Sequence, residues 1–298
     1  MLQKTQFLIL TFCLFVAGCA TQPEIQPARP QAATRPQPPK IALVLGGGAA
    51  RGFAHIGVIK TLEANGIVPD LVVGTSAGSV VGALYAGGYS GFELQKVAFQ
   101  LDEASVGDLV FPDRGFVRGE LLQNFINKAL QNRPIEKLNK KFAAVATDLQ
   151  TGELVMFRQG NTGMAVRASS SVPGVFQPVV INGREYVDGG LVSPVPVKVA
   201  RSLGADVVIA VDISSRPKYA KLDGSLDILL QTFNIMGQSI CRYELADADV
   251  VIQPDTVGIG TADFEQKHLA IMEGEKAAIR ALPQIRSKIQ QAGQKEGK

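Results

Sequence analysis

Tryptophan is absent from this 298-residue sequence, and histidine is scarce, with two copies. A Ser-His-Asp triad would therefore have to use His55 or His268. His55 is flanked by Ala54 and Ile56, which is typical of a histidine packed in a core, whereas His268 lies in a charged stretch that indicates a solvated helix face. Neither setting favours a catalytic histidine, so nucleophilic chemistry is expected to use another base.

A strong excess of charge of either sign is lacking as well. The 30 Lys and Arg residues and the 27 Asp and Glu residues leave a formal charge of +3 at pH 7. The basic residues are dispersed, which argues against a nucleic-acid-binding surface. No internal repeat is found, and a hydrophobic content of 46% is enough for one sizeable α/β domain. Nothing in the sequence implies a metal ion or an organic cofactor, and the oligomeric state stays open.

Apolar runs long enough to span a bilayer are also missing. The run at residues 7–17, which follows Lys4, has the length and flanking charge of a signal-peptide core instead. It ends in Val-Ala-Gly-Cys at residues 16–19, which resembles the lipobox of bacterial lipoproteins. That resemblance implies removal of residues 1–18 and lipidation of Cys19 as the new N-terminus. The alternative is an ordinary secretory signal with an incidental cysteine.

The lipobox resemblance also implies where in the cell the protein is located. Ala20, rather than aspartate, follows the cysteine, and by resemblance to lipoprotein sorting rules this implies the outer membrane of a bacterial cell envelope, facing the periplasm. Residues 19–39 are rich in Pro and Gln, which predicts a disordered tether that joins the anchor to a domain at residues 40–298. With the first two cysteines removed or lipidated, Cys241 would be the one free thiol, and no intrachain disulfide could form.

Glycine, in contrast, is abundant, and two glycines frame a serine. Gly74 and Gly78 flank Ser76 in a Gly-x-Ser-x-Gly segment. The apolar run at residues 71–73 predicts a strand that enters the segment, and the pattern at residues 80–86 predicts a helix that leaves it. A sharp strand-to-helix turn exposes a serine hydroxyl and needs neighbours without bulky side chains. The pattern indicates a nucleophile elbow with Ser76 as nucleophile; a glycine-rich turn used only for packing is the alternative.

A second glycine-rich segment, residues 46–52, follows the predicted strand at residues 40–45 and leads into a predicted helix that reaches Leu62. A dinucleotide-binding fingerprint would need glycine at Arg51, and a phosphate-binding P-loop would need Lys followed by Ser or Thr at residues 53–54, where Phe and Ala stand. Both nucleotide-binding interpretations therefore fail. The backbone N–H groups of such a run suit an oxyanion hole, which binds the negative charge that develops on a carbonyl oxygen under attack.

An aspartate at a third glycine-rich turn is the candidate base. Asp188 ends a short predicted strand and precedes Gly189 and Gly190, which allow a close backbone approach. Such an aspartate is often only a turn former, but an elbow serine and a glycine-rich hole make it a candidate sole base. Asp212, at the end of the apolar run 207–211, ranks second because no glycine turn follows it.

Taken in order, these three segments resemble the patatin-like phospholipases, serine acylhydrolases that use a Ser-Asp dyad without histidine. The resemblance covers residues 40–212 and includes the segment 168–178 ahead of the aspartate strand. It implies that Ser76 is the nucleophile and that Asp188 is the base. The residues that it implies for the oxyanion hole are Gly46, Gly47, Gly48 and Ala49, with Arg51 and Gly52 in support.

The same resemblance implies a three-layer α/β fold, with a central, mostly parallel sheet flanked by helices, and a lipid ester as substrate. Within the segment 91–133, apolar and aromatic residues could supply a cap over an acyl-chain groove. Ser193 stands where related sequences often carry asparagine. The strands predicted from apolar patterning lie near residues 40–45, 69–73, 142–147, 153–158, 178–187 and 206–212.

Two other functions stay open from the residues alone. A triad of Ser76, Asp188 and His268 would have the chain order of an α/β-hydrolase esterase. The other open function is that of a non-catalytic lipoprotein, which binds a lipid or a protein partner at a site that has lost its activity. The intact Ser76 and Asp188 argue against this function. The expected partners are a lipid substrate and, through Cys19, a membrane.

Overall fold

The computed structural model describes residues 38–101, 117–214, 224–260 and 263–295. The predicted signal peptide, Cys19 and nearly all of the predicted tether lie outside these ranges. The strands are β1 (Ile41–Leu45), β2 (Leu71–Thr75), β3 (Lys141–Asp148), β4 (Leu154–Phe157), β5 (Val179–Ile181), β6 (Arg184–Asp188), β7 (Val207–Val211) and β8 (Val250–Ile252). The α-helices are α1 (Phe53–Ala64), α2 (Ala77–Ala86), α3 (Gly91–Gln100), α4 (Glu120–Ala129), α5 (Thr162–Ser169), α6 (Val197–Ser202), α7 (Ser225–Leu245) and α8 (Lys267–Lys295).

These strands form one sheet whose centre is parallel. β3, β2, β1, β7 and β8 lie side by side in that order and all run in the same direction, while β4 and β6 pair antiparallel with β3. β1, β2 and β7 are short apolar runs that are buried almost throughout, as expected for strands covered on both faces. The predicted mostly parallel sheet is therefore confirmed.

Helices cover both faces of the sheet, which confirms the predicted three layers. Successive side chains of a strand point to opposite faces. On one face, Leu43 and Ile209 pack in a cluster with side chains from α1, α2 and α8. On the other face, Val44 and Val208 pack with α6 and with Cys241 of α7. Cys241 is buried, and it is a free thiol.

Residues 178–187 form a β-hairpin, so the prediction of one strand there was wrong. β5 and β6 pair antiparallel across Asn182 and Gly183, whose φ angles are both positive, 51° and 78°. Asn-Gly is a typical pair for a two-residue hairpin turn, because both positions need positive φ. Arg184 and Glu185, which directly follow the turn, interrupt the apolar pattern there. β8 and α7 were not predicted at all.

The predicted cap segment is described only in part. α3 and α4 belong to it, but residues 102–116 lie outside the described ranges. A cap over an acyl-chain groove therefore stays a prediction. Across the described ranges, no helix has both the length and the hydropathy needed to cross a bilayer.

Candidate active site

The strand register brings Ser76 and Asp188 together. β2 pairs with β3 as far as Thr75, opposite Val145, and β6 pairs with β3 from Asp188, opposite Ala146. β4 occupies the other edge of β3 over the same rungs. β2 and β6 therefore share one edge of β3 and meet there end to end. Because Ser76 directly follows Thr75, the serine and the aspartate lie on neighbouring rungs of the sheet.

Ser76 has the strained backbone of a nucleophile elbow. Its φ of 53° and ψ of −126° lie in a region that non-glycine residues rarely adopt. Gly74 and Gly78 leave room for the turn: an ideal Cβ on Gly74 would lie 2.4 Å from the Gly78 oxygen, and one on Gly78 would lie 2.0 Å from the Leu45 oxygen. The Ser76 N–H donates to the hydroxyl of Ser169 at 3.0 Å. The segment thus has the strand-turn-helix geometry that exposes a serine hydroxyl.

Asp188 is a buried carboxyl with one oxygen unused. Only 5% of the residue is exposed. Its Oδ1 accepts the Gly190 N–H at 2.7 Å, whereas Oδ2 has no hydrogen-bond partner among the described residues. Burial raises the pKa of this carboxyl from 3.8 to about 6, against the opposing effects of the Ser76 hydroxyl and the Gly190 N–H. The Ser76 hydroxyl is thus close enough to lower the pKa of the Asp188 carboxyl. Its geometry does not meet the criteria for a hydrogen bond to Oδ2.

The backbone around Asp188 is held on three sides. Its N–H donates to the Ser171 oxygen at 2.9 Å, and its own carbonyl accepts the Thr147 hydroxyl at 2.9 Å. Gly189 follows in close contact with β3, because an ideal Cβ there would lie 2.2 Å from the Val145 oxygen. No other residue type fits at that position without moving the strand. The carboxyl is therefore presented by a rigid turn.

Some backbone N–H groups of the glycine run donate hydrogen bonds within the protein, and others do not. Gly46 donates to a carbonyl of β7 at 3.1 Å, and Gly47 donates to the Pro194 oxygen at 3.0 Å. The N–H groups of Gly48 and Ala49 donate to no group within the described part of the chain. Of the four residues predicted for the oxyanion hole, the last two are thus the ones whose amides stay available to a ligand.

Arg51 orients the second of those amides, the N–H of Ala49. The Gly48 carbonyl accepts both the N–H and the Nε–H of Arg51, each at 3.2 Å. Because the C=O and N–H of a trans peptide point in opposite directions, the Ala49 N–H points away from Arg51. Gly47, the residue before Gly48, lies against Ser76, since an ideal Cβ on it would be 3.2 Å from the Ser76 Cβ. The available amides therefore directly follow the residue that contacts the serine.

Gly52 lets two helices begin side by side at this edge of the sheet. α1 begins directly after Gly52, and α2 begins directly after Ser76. An ideal Cβ on Gly52 would lie 2.7 Å from the Cβ of Ala77, so only glycine permits this approach. The N-terminus of a helix carries partial positive charge. Two such termini therefore favour negative charge beside the serine.

His55 has a structural role that the sequence did not reveal. The ring is fully buried, and its Nε2 lies 2.8 Å from the Gly46 oxygen. A carbonyl only accepts hydrogen bonds, so Nε2 is the protonated nitrogen. Burial lowers the pKa of His55 to about 4, which leaves the ring neutral at pH 7. The peptide between Gly46 and Gly47 is thus held at its C=O by His55 and at its N–H by Pro194.

Replacing His55 by leucine is expected to lower the free energy of unfolding by about 1–3 kcal/mol, because the buried Gly46 carbonyl loses its donor. Turnover should fall as well, since the peptide between Gly46 and Gly47 is then held only at its N–H, by Pro194. His55→Gln is the matched control, because its amide keeps a donor. Chemical denaturation measures both variants. Equal stability of the two would show that this hydrogen bond does not hold the run.

The two alternative acid–base residues are placed differently. Asp212 uses both carboxylate oxygens at the end of β7: Oδ1 accepts the Ser214 N–H and Oδ2 accepts the Gln253 side-chain amide, each at 2.9 Å. It also opposes the effect of burial on Arg51, whose pKa is lowered to about 10. His268 is exposed in the first turn of α8 and pairs with no described residue. Neither one is brought to the serine.

Glu244 is a buried acid that sequence reasoning did not single out. It lies on α7, where its Oε2 accepts the Val195 N–H at 3.0 Å and its Oε1 accepts the Ser193 hydroxyl. Burial raises its pKa to about 7. The Ser193 carbonyl in turn accepts the Thr75 hydroxyl at 2.8 Å. Ser193 therefore joins Glu244 and Thr75 through its hydroxyl and its carbonyl, but both partners are far away in the chain and gave no local signal.

Comparison with known proteins now adds the family. The model of the patatin-like phospholipase family matches residues 43–201, more than half of the chain, and this range includes both Ser76 and Asp188. The chain belongs to the patatin-like phospholipase family. An uncharacterized NTE family protein of Mycobacterium tuberculosis is 34% identical over 204 residues, which are 67% of this chain and 56% of that protein. Human patatin-like phospholipase domain-containing protein 6 is 37% identical over 184 residues, 59% of this chain and 13% of that protein.

The family fold is seen in a solved structure as well. VipD from Legionella pneumophila matches with a TM-score of 0.60 at 14% identity, over 84% of this chain and 67% of that chain. At this identity the likeness supports the fold alone. This patatin-like chain spans only 56% of the mycobacterial relative and 13% of the human one. Where its structure is described, it holds no group of three or more His, Cys, Asp or Glu residues that could bind a metal ion.

Proposed function

We propose that this patatin-like protein is a serine acylhydrolase that cleaves carboxylic esters of lipids, of the phospholipase A or lysophospholipase type. The observation that carries the proposal is the end-to-end meeting of β2 and β6: Ser76 directly follows β2, and β6 ends at the buried Asp188, whose Oδ2 accepts no hydrogen bond from a described residue. Membership in the family supports a lipid as the substrate.

The proposed reaction uses two residues and two amides. The Ser76 Oγ attacks the ester carbonyl carbon while its proton passes to Oδ2 of Asp188. The N–H groups of Gly48 and Ala49 receive the developing oxyanion. Collapse of the tetrahedral intermediate expels the alcohol, which takes the proton from Asp188 and leaves the acyl group on Ser76. Water then attacks the acyl-enzyme, with Asp188 as base, and releases the carboxylic acid.

The rate is expected to rise with pH through an apparent pKa near 6, which tests the proposed base. Asp188 accepts a proton only when it is ionised, and burial raises its pKa to about 6. Below that pH, kcat/KM should fall about tenfold per pH unit, and above about pH 7 it should be level. Hydrolysis of a monomeric short-chain ester, followed across the pH range in which the protein stays folded, measures the profile.

Glu244→Gln is the control for this profile. Burial raises the pKa of Glu244 to about 7, so it is the other described carboxyl near the site that titrates in the same range. If Asp188 is the base, the acid limb persists in the glutamine variant. A flat profile in the wild type, or a limb that disappears with Glu244→Gln, would contradict the assignment.

The predicted lipobox supports a second proposal, that the protein is held on the outer membrane, facing the periplasm, through a lipidated Cys19. What supports it is the signal-like apolar run before the cysteine and Ala20 after it. Several acyl chains on one cysteine would anchor far more firmly than the marginal binding of a single chain. The Pro- and Gln-rich residues that follow would let the domain reach lipids near the anchor.

Cys19→Ser is expected to abolish lipid attachment and, with it, wash-resistant membrane retention. The serine hydroxyl cannot replace the thiol that carries the lipid. Cell fractionation, with mass spectrometry of the mature N-terminus, measures both effects. Cys13→Ser is the matched control, since it changes a cysteine within the predicted signal and should leave lipidation intact. An unmodified Cys19 in the wild type, or wash-resistant Cys19→Ser protein with a cleaved N-terminus, would refute the proposal.

A further inference from the structure

The first half of α7, residues 225–236, is an apolar helix surface that the described part of the protein leaves largely exposed. The buried residues of α7, Cys241 and Glu244, both lie in its second half. A helix of a globular domain normally turns its apolar side chains inward. In residues 225–236 none is buried, and the large apolar side chains exposed by 37% to 55% are Leu226, Ile228, Leu229, Ile235 and Met236.

This exposed half of α7 lies at the catalytic end of the molecule. Gly237, where it ends, is close to the turn after the catalytic aspartate, since an ideal Cβ on it would lie 4.0 Å from the Gly190 oxygen. Leu226 and Leu229 reach the loop ahead of β5, because each comes within 3.3 Å of an ideal Cβ on Gly174. The exposed half extends roughly 18 Å from Gly237 at the normal helical rise. It therefore lies beside the turn that follows Asp188 and beside the loop ahead of β5.

Its outward face carries no charge. At the angular spacing of an α-helix, Ile228, Leu229, Ile235 and Met236 share one face with Thr232. The single charged residue of the exposed half, Asp227, lies off this face and accepts the N–H of Gly224 at 3.0 Å, so it caps its own helix. This face therefore has no charged side chain that would hold water strongly. Such a face favours an apolar neighbour over water.

We propose that the exposed half of α7 docks on a lipid bilayer and inserts its apolar side chains among the acyl chains, with the active site turned toward that bilayer. This inference rests on the proposed function, since a hydrolase of membrane lipids must take its substrate from a bilayer. Docking through this helix would bring the turn that carries Asp188 close to the bilayer surface. Helices with one apolar face bind the interface of a membrane in this way.

A second copy of the chain is a weaker match for the same face. Five partly exposed side chains form a patch on the order of 400 Å², the size of a functional patch on a monomer. A standard protein interface buries about 800 Å² on each partner and includes hydrogen bonds at its rim. The patch is also continuous with the half-exposed apolar residues around Gly174, in the loop ahead of β5. The proposed function brings a lipid to the adjoining turn after Asp188, and this adjacency favours lipid as the occupant.

The absence of tryptophan provides a direct test. Met236→Trp introduces the one tryptophan of the full chain, and Ser76→Ala in the same protein prevents hydrolysis of the vesicles. On addition of phosphatidylcholine vesicles, the emission should shift to the blue and be quenched by brominated lipid. Ile279→Trp, at a position 58% exposed on α8, is the control and should show neither change. Both proteins share the same N-terminal region, so an anchor there acts on both equally. Unchanged emission from Met236→Trp overturns the proposal.

A second experiment links docking to turnover. In Ile228→Asp with Ile235→Asp, the ratio of vesicle hydrolysis to hydrolysis of a monomeric short-chain ester should fall at least about tenfold, because charged side chains resist insertion into lipid. Ile279→Asp with Val68→Asp, at exposed positions elsewhere, should keep the wild-type ratio. An unchanged ratio in the α7 variant overturns the proposal, and so does a wild-type dimer that this variant converts to a monomer. A wild type that hydrolyses neither substrate refutes the proposed function, and the tryptophan emission still decides docking.

Discussion

Ser76→Ala is expected to remove ester hydrolysis almost completely, by roughly 10⁶-fold in kcat, as the loss of the nucleophile does in other serine hydrolases. The two serines that contact the Ser76 backbone are committed elsewhere: Ser79 donates to the Ser76 carbonyl at 2.7 Å and Ser169 to the Val145 carbonyl at 2.6 Å. A fluorophosphonate probe should label Ser76 alone, and lipids incubated with the alanine variant should release no fatty acid. Mass spectrometry of the labelled peptide and of the lipid products measures both.

Ser79→Ala is the matched control for that experiment. It removes a buried hydroxyl one helical turn away, so it should cost about 1 kcal/mol of stability and leave labelling intact. The strain at Ser76 gives an independent readout. Because φ is 53° there, Ser76→Gly should be about 1 kcal/mol more stable than Ser76→Ala. Labelling of another serine, or full activity of the alanine variant, would contradict the assignment of Ser76.

The predictable part of the site is the part that is local in sequence. The elbow around Ser76 and the turn after Asp188 are recognisable because glycines stand where the backbone must pass within van der Waals distance of another segment. The sequence could not show that β2 and β6 meet end to end on β3, because that depends on which edge of β3 each strand takes.

The parts that sequence reasoning missed depend on partners distant in the chain. Which amides of the glycine run stay available is decided by Pro194, whose carbonyl engages Gly47. His55 looked like a core residue, and it is buried, but its ring nitrogen holds the run in place. Glu244 supports the loop after the aspartate from α7, a helix that was not predicted. Hydrogen bonds of this kind follow from tertiary packing and leave no periodic pattern in the sequence.

Asp188→Asn is expected to lower kcat by about 10²–10⁴-fold, because an amide cannot accept the proton of the serine. The substitution keeps the shape of the side chain and the oxygen that accepts the Gly190 N–H. His268→Ala distinguishes the dyad from the triad. His268 is exposed on α8 and pairs with no described residue, so its removal should leave kcat within about twofold of the wild type. If His268→Ala lowers kcat as much as Asp188→Asn does, the triad is the correct interpretation.

The stability of the Asp188→Asn variant is a second readout, and it is expected not to fall although the activity does. The folded-state pKa of about 6 lies above the unfolded value, so burying the ionised carboxyl costs stability at a pH above 6, and this cost disappears as the pH falls below about 4. A neutral amide avoids the cost. The asparagine variant should therefore unfold no more easily than the wild type at pH 8, while the wild type gains relative to it as the pH falls from 8 to 5. A purely structural aspartate predicts the reverse: the variant would be unstable at pH 8, and any folded fraction would turn over normally. Thermal melts at both pH values, with kcat measured on the folded protein, decide between the two.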